Sequence, residues 1–121
     1  SFDFMRRSGA TTLWENWNGE ASHSHPMFGA STEFLFEEIL GIKQEKDSVR
    51  YDKIIISPVF LDCLTFARGK ITTPHGEIAV AWKRGEKKIK IFIDLCDGIN
   101  AVFIGDCKKI SLSTGTNELV L

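Results

Sequence analysis

Residues Glu77-Ile-Ala-Val-Ala-Trp-Lys83 and Lys88-Ile-Lys-Ile-Phe-Ile-Asp-Leu95, separated by Arg84-Gly-Glu-Lys87, decide the fold. Ile78, Val80 and Trp82 alternate with Ala79 and Ala81, and Ile89, Ile91, Ile93 and Leu95 alternate with Lys88, Lys90, Phe92 and Asp94. Successive side chains of a strand point to opposite faces, so a period of two marks a half-buried antiparallel pair. Trp82 belongs to the inward face with Ile78 and Val80, and Arg84-Gly85-Glu86 reads as the hairpin connection.

The same spacing continues to both sides. Thr73-Pro74-His75-Gly76 is a turn with Pro at its second position, which leaves His75 a turn residue. Asp97-Gly98 reads as a further hairpin, and Gly105-Asp106 and Thr114-Gly115 punctuate the rest. Strands are expected near 53–57, 65–72, 77–83, 88–95, 101–104, 109–113 and 117–121. Short strands at such even spacing predict an antiparallel β-sandwich of jelly-roll type. Cys63, Cys96 and Cys107 are odd in number, lack CxxC spacing and sit in apolar or strand-like stretches, so buried free thiols are expected rather than disulfides or a cysteine-rich zinc site.

Before residue 48 the pattern is different. Residues 1–47 carry four bases against eight acids, whereas 48–121 carry eleven bases against eight acids. From Phe28 to Ile42, one helical stripe holds Phe28, Leu35, Ile39 and Ile42, with Pro26 at the entrance and Gly41 as the stop. Phe34, Phe36 and Leu40 widen its apolar surface, as for a helix packed among several others. The expected division is therefore 1–47, with a helix over 28–41, and 48–121, the sandwich.

Composition removes several functions. The 121 residues carry a net charge of −1, which leaves no surplus for binding nucleic acid. An apolar share of 43% suits a folded core rather than disorder, and no run of about 18 apolar residues predicts a membrane span. The chain opens on Ser1-Phe-Asp-Phe-Met5 without a signal pattern, which reads as a sequence whose beginning lies upstream. The compartment stays open, since the cysteine usage neither requires nor excludes an oxidising one.

Candidate chemistry lies before residue 30. In Gly9-Ala-Thr-Thr-Leu-Trp-Glu-Asn-Trp17 a carboxylate, Glu15, stands between two indoles, Trp14 and Trp17. Aromatic faces take up the C–H side of a pyranose while a carboxylate activates water or binds hydroxyls. A strand or turn whose indoles seal a core and whose Glu15 meets solvent has the same residues, and both readings stand at this point. His23-Ser24-His25 has the HxH form of a metal pair, but Glu20 and Glu33 share no metal-site spacing with it, so no metal and no cofactor are expected. Either histidine can instead be a neutral hydrogen-bonding group. Lys87, Lys88 and Lys90 form a basic cluster on a hairpin, a solvated face or a polyanion contact.

Taken together, Gly9-Ala-Thr-Thr-Leu-Trp-Glu-Asn-Trp-Asn-Gly19, Ser22-His-Ser-His-Pro-Met-Phe-Gly29 and the helix ending Leu40-Gly-Ile42 resemble the end of the catalytic domain of bacterial α-L-rhamnosidases, glycoside hydrolase family 78. Ile54-Ile-Ile-Ser-Pro58, Ala67-Arg-Gly69, Thr73-Pro-His-Gly-Glu-Ile-Ala-Val-Ala-Trp82 and Ser111-Leu-Ser-Thr-Gly-Thr116 resemble that family's C-terminal β-sandwich. The resemblance implies that residues 1–47 are a helical remnant of an (α/α)6 barrel, whose upstream part is the sandwich's partner. It implies an inverting hydrolase that removes terminal α-L-rhamnose from glycosides or oligosaccharides without metal catalysis of the chemical step. Glu15 then takes the place of the general base, His25 that of a substrate contact, and Trp14 and Trp17 flank them, with the general acid upstream. The chain departs from the family pattern at Ser24, where many members carry Asn. A fragment of this kind is expected to be inactive alone. Two other readings are a carbohydrate-binding or structural sandwich module and an (α/α)6 glycosidase of other specificity. The sandwich offers few aromatic platforms by sequence, which favours packing over sugar binding.

Overall fold

The structure, a computed structural model, describes residues 2–105 and 108–121. The chain divides into two compact units, residues 1–34 and 35–121.

The second unit is a two-sheet sandwich. Strands β1 (Ile42–Gln44), β2 (Lys53–Ile56), β6 (Asn100–Gly105) and β7 (Lys108–Leu112) form one sheet in the order β1-β2-β6-β7. Strands β3 (Phe66–Thr73), β4 (Gly76–Arg84), β5 (Ile89–Leu95) and β8 (Gly115–Val120) form the other in the order β3-β4-β5-β8. The alternation that decides the fold is realised residue by residue. Ile78, Val80 and Trp82 stand opposite Leu95, Ile93 and Ile91, and all six are buried. Ile54, Ile56, Ala101 and Phe103 close the core from the facing sheet. Each fully buried Ile or Phe contributes roughly 1.5–3 kcal/mol relative to exposure, so this layer dominates the unit's stability.

Among the described residues five strand pairings are antiparallel and one, β2 with β6, is parallel. The chain leaves β2, builds β3, β4 and β5 in the other sheet, and returns as β6; only such a long crossover permits a parallel neighbour. The expected hairpins at Pro74-His75 and after Arg84 are present. Thr73 Oγ1 donates to the Gly76 carbonyl at 2.9 Å and accepts the His75 N–H at 3.2 Å, which closes the first of these turns. Asp97-Gly98 is not a hairpin: it carries the chain from β5 to β6 in the opposite sheet, and Thr114-Gly115 crosses back from β7 to β8. The turn at Gly105-Asp106 involves a residue outside those described.

The expected helix over 28–41 is built from unlike turns. A 3₁₀ turn (Pro26–Gly29) leads into α2 (Ala30–Phe34), and Leu35–Ile39 adopts π geometry, with the Leu40 N–H donating to the Leu35 carbonyl at 3.0 Å. A short helix, α1 (Phe2–Arg7), opens the first unit. Ile42 departs from the helical stripe: Gly41 turns the chain at φ +73°, and Ile42 enters β1 opposite Ile56. The buried-thiol expectation also needs correction. Cys63 is exposed and Cys96 half-buried, both free, while Cys107 lies outside the described residues.

Candidate functional site

Glu15 is held by a loop that folds back on itself. The Glu15 N–H donates to the Ser22 carbonyl at 2.8 Å, and the His25 N–H donates to the Leu13 carbonyl at 2.7 Å. These two main-chain bonds bring positions 13–15 beside 22–25. Between them the Gly19 N–H closes a turn on the Asn16 carbonyl at 3.2 Å, and Asn18 Nδ2 donates to Glu20 Oε2 at 2.8 Å. Gly19 is required there twice over: its φ is +78°, and a Cβ would lie 3.1 Å from the Trp14 ring.

The loop's closure brings two of the singled-out side chains together. Glu15 Oε2 accepts the Ser22 N–H at 3.3 Å and stands 3.9 Å from His25 Nδ1. That separation exceeds a hydrogen bond, so the carboxylate and the imidazole are close neighbours without being paired. His25 Nδ1 is itself buried and has no hydrogen-bond partner. The ring is held by stacking on Phe28, centroids 5.4 Å apart, at the entrance of the 3₁₀ turn that Pro26 begins. Glu15 remains partly open to solvent, as an acceptor that must meet an incoming ligand requires.

The indoles are arranged differently from one another. Trp14 stacks on His23, with centroids 4.6 Å apart and an interplanar angle of 17°. His23 Nε2 donates to the Gly19 carbonyl at 2.7 Å, and the Thr12 hydroxyl donates to the His23 carbonyl. His23 therefore clamps the loop. Trp17 is exposed and meets the Phe2 ring edge-on, centroids 5.4 Å apart. The Ser22 N–H that steadies Glu15 carried no signal in the sequence, because any residue type can supply a main-chain donor. Among the described residues no group of three or more His, Cys, Asp or Glu side chains could hold a metal ion. Among the described residues no helix is long and apolar enough to cross a membrane.

Two family models match the chain in succession. The bacterial alpha-L-rhamnosidase 6 hairpin glycosidase domain matches residues 1–39, and the bacterial alpha-L-rhamnosidase C-terminal domain matches residues 41–103. An alpha-L-rhamnosidase of Alteromonas sp. (strain LOR) is 32% identical over 115 residues, covering 86% of this chain and 12% of that protein. One of Formosa agariphila is 33% identical over 94 residues, covering 69% of this chain and 10% of that protein. The chain thus spans about a tenth of the length of these relatives. The crystal structure of Aspergillus terreus alpha-L-rhamnosidase superposes with a TM-score of 0.75 at 21% identity, covering 100% of this chain and 16% of that one. That of Streptomyces avermitilis alpha-L-rhamnosidase in complex with L-rhamnose gives 0.74 at 17% identity, covering 100% of this chain and 15% of that one.

Proposed function

The chain belongs to the bacterial α-L-rhamnosidases, and from that premise we propose that it supplies the general base of an inverting glycoside hydrolase acting on terminal α-L-rhamnose. The paired approach of Glu15 Oε2 and His25 Nδ1 carries this reading. An inverting enzyme activates a water on the face of the sugar opposite the leaving group, with its two carboxyl groups roughly 6.5–9.5 Å apart. Glu15 has the free acceptor lone pairs to take the water's proton, and the Ser22 N–H fixes one of its oxygens. His25, with an unpartnered ring nitrogen, orients that water or a sugar hydroxyl. Trp17 is exposed and available to the sugar's C–H side, and Trp14, stacked on His23, stiffens the loop that carries the base. The general acid comes from upstream barrel residues of the longer protein.

In this proposal the part matched by the 6 hairpin model is the end of the catalytic domain, and the strand-rich part is its C-terminal sandwich. The test is hydrolysis of an aryl α-L-rhamnoside by the full-length protein. Glu15→Gln keeps the shape of the side chain and removes the base, so kcat falls about 10²–10⁴-fold with an unchanged thermal midpoint. Near-normal turnover in that variant sinks the assignment. NMR of the first-formed sugar gives β-L-rhamnose if the reaction inverts, and α-L-rhamnose contradicts it.

A further inference from the structure

The outer face of the β4–β5 hairpin carries charge in an arrangement that stability alone does not favour. Lys83 and Lys90 are directly opposite each other across the two strands. Side chains so placed have Cβ atoms about 5 Å apart, and like charges there repel. Lys87 and Lys88 at the hairpin's end add to the same cleft, where Glu86 is the one acid. Among the described residues none of these four lysines makes an ion pair, whereas Lys43, Lys53 and Lys70 each do. The neighbouring Arg84 is occupied, donating to the Phe60 and Leu61 carbonyls at 3.1 and 3.2 Å and facing Asp62 at 3.6 Å.

The register extends this pair into a row across the whole sheet. Phe66 stands opposite Lys83, and Val120 stands opposite Lys90. Both are outward-facing, Phe66 at 61% and Val120 at 50% exposure. Phe66 is an exposed ring of the sandwich, and the nearer of the two unpaired lysines, Lys83, is its direct neighbour in the row. The row reads apolar, cation, cation, apolar, and the lysine stems continue its apolar walls. Its complement has C–H faces that stack and carboxylate or sulfate groups that pair. A sugar polymer bearing anionic substituents has both.

We propose that this face binds an anionic polysaccharide, with Lys83 and Lys90 pairing to its charged groups and Phe66 stacking on a ring. The choice of a saccharide among polyanions rests on the rhamnosidase reading; the charge recognition does not.

The test is titration of the 121-residue chain with polygalacturonate, its fully methyl-esterified form and single-stranded DNA of equal charge, followed by calorimetry. Saturable binding to polygalacturonate is expected, weakening as salt rises because exposed charges are screened within about 10 Å at 0.1 M. Lys83→Gln with Lys90→Gln should weaken it about tenfold, with a thermal midpoint unchanged or raised because a repulsion is removed. Phe66→Ala should also weaken it. Equal binding of the esterified polymer, an unaffected double variant, or tighter binding of DNA overturns the proposal. Glu15→Gln should bind polygalacturonate as wild type does, so failure here and failure of the catalytic reading are separate results.

Discussion

Trp82 joins two parts of the sequence through one atom. Its ring is 1% exposed, packs edge-on against Phe60 at 5.2 Å, and donates its Nε1–H to the Ile39 carbonyl at 2.8 Å. That carbonyl belongs to the π turn, whose wider i to i+5 spacing changes which groups the turn can pair internally. Trp82→Phe keeps a ring in the core and removes the donor, leaving a buried acceptor unpaired. Urea unfolding should show a loss of roughly 1–3 kcal/mol, and an unchanged midpoint would show that the bond contributes nothing net. Gly41 is held more tightly still. At φ +73° a Cβ would lie 2.2 Å from the Pro58 nitrogen, a main-chain atom that cannot move aside. Gly41→Ala should therefore cost on the order of 3 kcal/mol or more, read from the same unfolding curve; a cost under about 1 kcal/mol would mean that the β1 entrance shifts freely. The role proposed for Glu15 sits at this scale too. Its residue type and motif are plain in the sequence, but its 3.9 Å approach to His25 depends on how the intervening loop folds.

The loop joining β1 to β2 is a self-contained element with its own pH response. Asp52 Oδ1 accepts the Val49 N–H at 2.6 Å and the Ser48 hydroxyl at 2.9 Å, and the main-chain bond, ahead of the hydroxyl, holds the Asp52 carboxyl below its ordinary range. Lys53 Nζ donates to Asp47 Oδ2 at 2.7 Å, lowering the Asp47 pKa and raising that of Lys53. A depressed carboxyl stabilises the fold above its unfolded pKa, near 4, and loses that contribution as pH falls through the lower folded value. The raised Lys53 acts in the opposite sense: its contribution is full below the unfolded lysine pKa and is lost as pH rises through the folded value. Asp47 is exposed and Asp52 and Lys53 are partly so, and the effects are small and screened by salt. Asp52→Asn should flatten the acid limb of the thermal midpoint below about pH 4. A variant whose acid limb parallels wild type would remove the carboxylate from the account. Arg50 and Tyr51 adopt left-handed φ values of 57° and 68°, so the loop is bent at a cost that its hydrogen bonds offset.

At the scale of the whole molecule, the apolar surface is unevenly spread. Phe2, Phe4, Trp17, Met27, Phe28, Phe34 and Leu35 are all exposed within the first 35 residues, whereas Val49, Val59, Leu61, Phe66, Phe92, Ile104 and Val120 are spread over the much longer remainder, which buries Trp82 and Phe103. Residues 35–121 alone should unfold in urea as a single two-state transition and bind little anilinonaphthalene sulfonate, while the 121-residue chain binds it strongly. Equal dye binding by both would place the exposed surface in the sandwich. The two-residue period of β4 and β5 determined in advance which side chains are buried, because a strand's faces follow from local geometry alone. The helix-stop at Gly41 and the Pro74-His75 turn were legible for the same reason. Strand β1, the parallel pairing of β2 with β6 and the crossing at Asp97-Gly98 were not, since each depends on a partner far along the chain. The Glu15, His25 and tryptophan types were visible as a motif, yet the Ser22 N–H, the His23 clamp and the opposition of Lys83 to Lys90 appear only when main-chain hydrogen bonds set the register. Periodicity and turn chemistry are written residue by residue, whereas which segments meet is settled by the joint burial of apolar faces, a free energy that no single segment carries.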